Sequence, residues 1–186
     1  MKKTLIAVVL TLVVCLCAFG TTLAFLMDKT DPVVNTFTVG NVDITLTETG
    51  ATAGTGNLIQ SFKMVPGSDI AKDPKVTVVG GSEACYLFVK IDESTNLDDF
   101  ITYAVATGWT ELEAGVYYRN VAAAAENQEF SVLEGNKVTV NDTVTKTQMD
   151  AITANTADAP TLTFTAYAVQ AENVVSPAAA WAIANP

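Results

Sequence analysis

Along most of this chain apolar residues recur at every second position in short runs, each closed by Gly, Pro, Asn or Asp, which is the pattern of half-buried β-strands. Residues 36–47 alternate in this way, but the phase slips in the middle: Phe37 and Val39 are odd, whereas Val42, Ile44 and Leu46 are even. Gly40 and Asn41 lie at the slip, where a one-residue offset predicts a β-bulge that bends or splits the strand. Residues 49–57 read as a loop and 58–64 as a strand, closed by a turn at Val65-Pro-Gly-Ser68 with Pro and Gly at its two central positions. A β-branched strand over 75–79 ends at Gly80-Gly81. Residues 85–91 are apolar on both faces, which predicts a central strand covered on both sides.

Beyond an acidic loop at 92–99, residues 101–105, 115–119, 129–133 and 137–141 read as further short strands, and 160–170 as a long one. In the last, Leu162, Phe164, Ala166 and Ala168 share one face, with Tyr167 and Val169 on the other. Helix signals are few: an Ala-rich stretch at 120–127, helix formers at 146–152, and Pro177 opening a short helix over 178–184 with Trp181 as its packing residue. The pattern predicts an all-β chain, a β-sandwich or jelly roll with short helices in its loops.

The first residues break this pattern. Lys2 and Lys3 precede a charge-free apolar run over 5–19, followed by Gly20, Thr21, Thr22 and Ala24, with the first acid at Asp28. That is the layout of a secretory signal peptide, with Thr22 and Ala24 at the −3 and −1 positions of a cleavage site before Phe25. A retained membrane anchor is the competing reading, since the run to Met27 is long enough to span a bilayer. A lipoprotein anchor at Cys15 or Cys17 fits less well, because Val14 and Leu16 stand where a small residue is needed. The expected organisation is a signal peptide over 1–24, an N-terminal segment over 25–41 and one jelly-roll domain over 42–186.

Charge and composition narrow the chemistry. The chain carries ten basic and twenty acidic residues, and removing Lys2 and Lys3 with the signal leaves a net −12, which argues against a nucleic-acid partner. Of three cysteines only Cys85 would remain, so no intrachain disulfide is expected, and Cys85 reads as a small buried hydrophobe. The chain has no histidine, which excludes His-Glu-x-x-His zinc peptidases and Ser-His-Asp or Cys-His nucleophile systems. The acidic pairs Asp98-Asp99 and Glu111/Glu113 are expected by chance among twenty acids, and Asp92, Glu93, Asp98 and Asp99 do not fit an EF-hand loop. Gly54-Thr-Gly56 and Gly80-Gly81 lack the Lys and helix start of a phosphate loop. No catalytic residue, metal ligand or cofactor is therefore assigned. Trp109, Tyr117 and Tyr118 could stack on sugars, with burial in the core as the alternative.

Four blocks of the chain resemble one family. Ala24-Phe25 with Asn35-Thr-Phe-Thr-Val-Gly-Asn-Val-Asp-Ile-Thr-Leu-Thr-Glu48 looks like the start of the TasA/camelysin (CalY) proteins of Gram-positive bacteria. Val65-Pro-Gly-Ser-Asp-Ile-Ala-Lys-Asp-Pro-Lys-Val-Thr-Val78 and Glu83-Ala-Cys-Tyr-Leu-Phe-Val-Lys90 are similar as well, as is Thr165-Ala-Tyr-Ala-Val-Gln-Ala-Glu172 followed by Ala180-Trp181. Residues 94–135 show no family motif. The resemblance implies Sec export with cleavage by the signal peptidase SipW, a jelly roll, and a secreted structural protein of the extracellular matrix or cell surface. It would be a subunit of biofilm matrix fibres that assembles head to tail with copies of itself by donor-strand complementation, beside other matrix or cell-wall components. The donor-strand residues would be Phe25, Val33, Val34, Phe37 and Val39, while residues 42–46 stay with their own subunit. Camelysin-like members have been described as surface endopeptidases, and the missing histidines argue against a zinc mechanism of that kind here. A non-polymerising module that binds cell-wall or matrix polysaccharide is the remaining alternative.

Overall fold

In the computed structural model the chain divides into two units, residues 1–38 and 39–186, and residues 40–53 and 58–186 are described. They are mostly β-structure, and every strand pairing among them is antiparallel. The strands are β1 (Ile44–Thr47), β2 (Thr52–Ala53), β3 (Leu58–Ile59), β4 (Asp69–Ala71), β5 (Lys75–Val78), β6 (Cys85–Glu93) and β7 (Ile101–Thr102). They continue with β8 (Thr110–Glu113), β9 (Val116–Val121), β10 (Gln128–Ser131), β11 (Lys137–Val140) and β12 (Leu162–Gln170). Three helices accompany them: α1 (Leu97–Phe100), α2 (Lys146–Ala154) and α3 (Pro177–Ala184). A first sheet has the order β1-β5-β10, a second β12-β6-β9-β8, a third β4-β11-β7, and β2 and β3 form a small hairpin.

The two-faced pattern of β6 makes it the hub. Cys85, Leu87, Val89 and Ile91 point into a core shared with Val76 and Val78 of the first sheet, packed by Ile44, Leu46, Phe130, Phe164, Ala166 and Ala168. Phe88 points the other way and is also fully buried, against Trp181 and Ala180 of α3. The Phe88 and Trp181 rings lie 5.4 Å apart, and Tyr167 meets Trp181 edge-on at 5.2 Å. Two apolar faces on one strand thus hold the first sheet on one side and α3 on the other. Ser176 caps α3 by accepting from the Ala179 N–H at 3.2 Å, and Pro177 stands in the first turn where no N–H is needed. A third cluster, Phe100, Val140 and Val144, joins the third sheet to α2, whose N-terminus is closed by a capping box between Thr145 and Gln148.

The turn at 65–68 forms as its sequence predicts, with Gly67 at φ +76° and the Ser68 N–H donating to the Val65 carbonyl at 3.0 Å. Gly80 is needed for a different reason: a Cβ there would lie 2.2 Å from the Ala125 carbonyl oxygen.

Four sequence expectations are corrected. Residues 58–64 were expected to form one strand, but only Leu58–Ile59 pairs, with β2, which itself falls inside the expected loop. Phe62 and Met64 keep the inward alternation, yet no strand reaches this segment, and pairing resumes only at β4. The Ala-rich stretch at 120–127 is not a helix: Val121 ends β9, and the Ala122 and Ala124 carbonyls accept from the Gln128 side chain and the Gly81 N–H. Those long-range partners outweigh alanine's helix propensity. The acidic stretch 92–99 is not a loop throughout, because Asp92 and Glu93 extend β6 against Thr163 and Leu162, and α1 buries Leu97 and Phe100. The strand β8 lies where no strand was expected.

Candidate assembly interface

Among the described residues no group of three or more Cys, Asp and Glu side chains could hold a metal ion. The thiol of Cys85 is buried, and burial raises its pKa, away from nucleophilic character. Asp98 and Asp99 lie in the first turn of α1, and Glu113 accepts from the Trp181 indole N–H at 2.7 Å, so these acids do not face one another across a cleft. Tyr103 donates to Glu93, and its own burial, followed by that carboxylate, raises the phenol pKa. Trp109 and Tyr117 pack against the inter-sheet core, and Tyr118 against the Phe88 cluster. A shallow depression beside Gly81, Ser82 and Glu83 is lined otherwise by Ala123, Ala124 and Ala125, which bring no reactive group.

What the described surface offers is backbone. Among the described residues β12 is an edge strand, paired with β6 on one side only. Its nine residues, Leu-Thr-Phe-Thr-Ala-Tyr-Ala-Val-Gln, carry no charge, no Pro and no Gly, and they pair with β6 in unbroken register. The Ala171 N–H donates to Ala84 and the Ser94 N–H to the Thr161 carbonyl, so the odd-numbered positions exchange bonds with β6. The backbone N–H and C=O groups of Leu162, Phe164, Ala166, Ala168 and Gln170 therefore point outward along the free edge. A long, flat, uncharged edge is a template for another strand.

β1 is the facing edge of the first sheet, and Ile44, Leu46, Phe164 and Ala166 pack against the same core. One end of this side is closed by Lys72, which is 10% exposed and pairs with Glu48 at 2.9 Å. Its ammonium also lies 5.1 Å from the Phe62 ring and 5.3 Å from Phe164, so it ties the end of β1 to β12.

The opposite side of the sandwich is built differently. β8 has four residues, two of them Glu, and its register with β9 shifts between Glu111 and Glu113. The Trp109 indole N–H donates to the Ser131 carbonyl of β10 at 2.9 Å, capping the outer edge of the first sheet. Charge, a bulge and a cap are the devices that discourage strand addition.

Of the residues assigned from sequence, Ala24, Phe25, Val33, Val34, Phe37 and Val39 lie outside the described residues. Gly40 and Asn41 are exposed and extend β1 backwards: the Glu83 N–H donates to the Asn41 carbonyl at 3.0 Å, and the Val79 N–H to that of Asp43 at 2.9 Å. Residues 41–43 on this side thus stand against 79–83 on the other, where Gly80 and Gly81 form a turn. A Cβ on Gly40 would lie 3.2 Å from Glu83 and 3.5 Å from the Gln170 amide, so Gly40 lies beside the end of β12. Sequence reasoning did not single out β12 as an edge. Its lack of any charged residue over 160–170 was the available signal. Among the described residues no helix is long and apolar enough to cross a membrane. Comparison with known protein families, with curated proteins and with solved structures finds no match to this chain.

Proposed function

We propose that this chain is a secreted structural protein with a jelly-roll-type domain, a subunit of an extracellular fibre that grows by strand addition at the β12 edge. The observation that carries the reading is that edge: nine uncharged residues in unbroken register, with outward backbone groups at every second position. The donor is the segment 25–39 of the next copy, whose alternate apolar residues Phe37 and Val39 supply side chains on one face. Its point of attachment at Gly40 lies beside Gln170, the last residue of β12. One copy then offers a strand and the other an edge, a heterologous contact that repeats into a filament when its rotation does not close. The stretch over 1–24 serves as the export signal, and the matrix outside a Gram-positive cell is the destination.

Deleting residues 25–34 tests this reading. The protein recovered from the culture medium should be monomeric by sedimentation, while the full-length control forms fibres under electron microscopy. Fibres of unchanged length and number from the deleted protein would overturn it.

A further inference from the structure

Among the described residues one cation lies on each lateral side of the sandwich, and of these two only Lys72 is paired with a carboxylate. Lys72, on the β1/β12 side, is paired with Glu48. Arg119, on the inner face of β9 opposite Leu87, lies against two aromatic rings on the β8/β10 side. Its guanidinium carbon lies 3.9 Å from the Phe130 ring centroid and 5.3 Å from that of Trp109. The rings offer the guanidinium no hydrogen-bond acceptor, so its five N–H donors need a polar partner elsewhere. Among the described residues none is used: Nε is buried with no hydrogen-bond partner, and no ion pair or hydrogen bond involves the terminal nitrogens. Gly108 keeps the approach open, since a Cβ there would stand 3.1 Å from one terminal nitrogen and the φ of +89° excludes most other residues. Buried donors are satisfied in nearly all folded proteins, so donors of this kind mark a place for an acceptor.

We propose that Arg119 is a carboxylate-binding site, filled by an acidic side chain of a second copy of this chain. A carboxylate matches the fork of a guanidinium through two parallel hydrogen bonds. The chain is rich in such groups, with twenty acidic residues against ten basic, and Lys72, Lys75, Lys90, Lys137 and Lys146 are each paired within their own copy. Arg119 is the single arginine of the chain and the described cation best shaped for a partner from outside. It also lies across the sandwich from the β12 edge, so a contact here joins a different face of the neighbour. The occupant rests on the assembly reading above, and the test separates the two.

Because the chain has one arginine, its Nε–Hε group gives a single signal in a nitrogen–proton correlation spectrum. The protein is labelled and purified from its own host carrying Thr163→Lys and Thr165→Lys, which charge the β12 edge. It is titrated with sodium acetate, with sodium chloride at matched ionic strength, and with unlabelled protein of the same kind. The signal should move saturably with acetate and with added protein, and stay still with chloride. No response to acetate beyond that to chloride overturns the site. A response to acetate with none to added protein overturns the second copy as occupant and leaves a site for free carboxylates. In the otherwise unaltered chain, Arg119→Lys keeps the charge and loses the fork, and fibre growth should slow roughly tenfold. Growth at the unaltered rate also overturns the second copy, while fibres formed by both proteins leave the assembly reading standing. Should neither protein form fibres, the assembly reading fails, and the spectral titration decides the site alone.

Discussion

The two sides of this sandwich solve the same problem in opposite ways. Each sheet must end somewhere, and each end presents unpaired backbone groups. On the β8/β10 side the ends are defended: β8 is short, carries Glu111 and Glu113 and is bulged between them, and Trp109 caps the Ser131 carbonyl. On the β1/β12 side the nine-residue β12 has neither charge nor bulge nor proline. The defended side shows that this chain has the means to blunt an edge, which makes their absence from β12 informative. Hydrophobic burial does not explain the difference, because both sides pack the same inter-sheet core. An edge left open among the described residues, in a protein that blunts β8 and β10, is the physical basis of the fibre proposal.

The largest effect should come from removing that difference. Thr163→Lys with Thr165→Lys places two charges on the outer face of β12, and Ala168→Pro removes an N–H that points away from β6. Each change should abolish fibres under electron microscopy while the secreted domain keeps its β-rich circular dichroism. Persisting fibres would show that growth uses another surface.

Next comes Trp181, which ties α3 to both β12 and β8. Trp181→Ala empties the space against Phe88 and Tyr167 and strips Glu113 of its indole donor. A loss of about 3–5 kcal/mol in urea unfolding is expected. Faster amide exchange than in the unaltered protein should accompany it in both β8 and β12, and unchanged exchange in β8 would argue that α3 does not hold that strand.

A comparable but distinct loss should follow at Lys72. Lys72→Met leaves Glu48, 14% exposed, without its ammonium, at a cost of about 3 kcal/mol. The double change Lys72→Met with Glu48→Leu should recover most of it, because the uncompensated charge is then gone. No recovery would mean that the two residues act independently.

The smallest effect concerns acid. Asp69 is held below its ordinary pKa of 3.8 by the Lys137 ammonium and then the Thr139 hydroxyl, and Asp73 by the Thr49 hydroxyl and N–H. A carboxylate with a depressed folded pKa contributes stability that is complete above the unfolded value. That contribution disappears as pH falls through the folded one. Asp69→Asn with Asp73→Asn should therefore lower the thermal midpoint slightly at pH 7 and flatten its fall below about pH 4. Parallel curves for the two proteins would remove these groups from the acid transition.

Much of the fold was legible because the signals were local. Alternation within 85–91 placed the hub strand and both of its faces, since apolar side chains on both sides of a strand demand cover on both sides. Pro66 with Gly67 wrote the turn, and Ser176 with Pro177 wrote the start of α3, each through backbone geometry that needs no distant partner. The short helix at 146–154 followed from its residue types in the same way.

What had to wait for the tertiary structure was pairing. Residues 60–64 alternate half-buried and exposed as a strand should, yet among the described residues no neighbour beyond Ile59 completes the ladder. The alanines at 122–125 prefer helix, but a glycine turn some forty residues away takes the Ala124 carbonyl and the Gln128 side chain that of Ala122. Whether a strand is central or an edge, and whether a lone arginine meets a carboxylate or two aromatic rings, depends on which chain segments arrive beside it. Side-chain periodicity records burial against solvent one residue at a time. Hydrogen-bond partners and ion pairs are chosen across the sheet, between residues that share no local pattern.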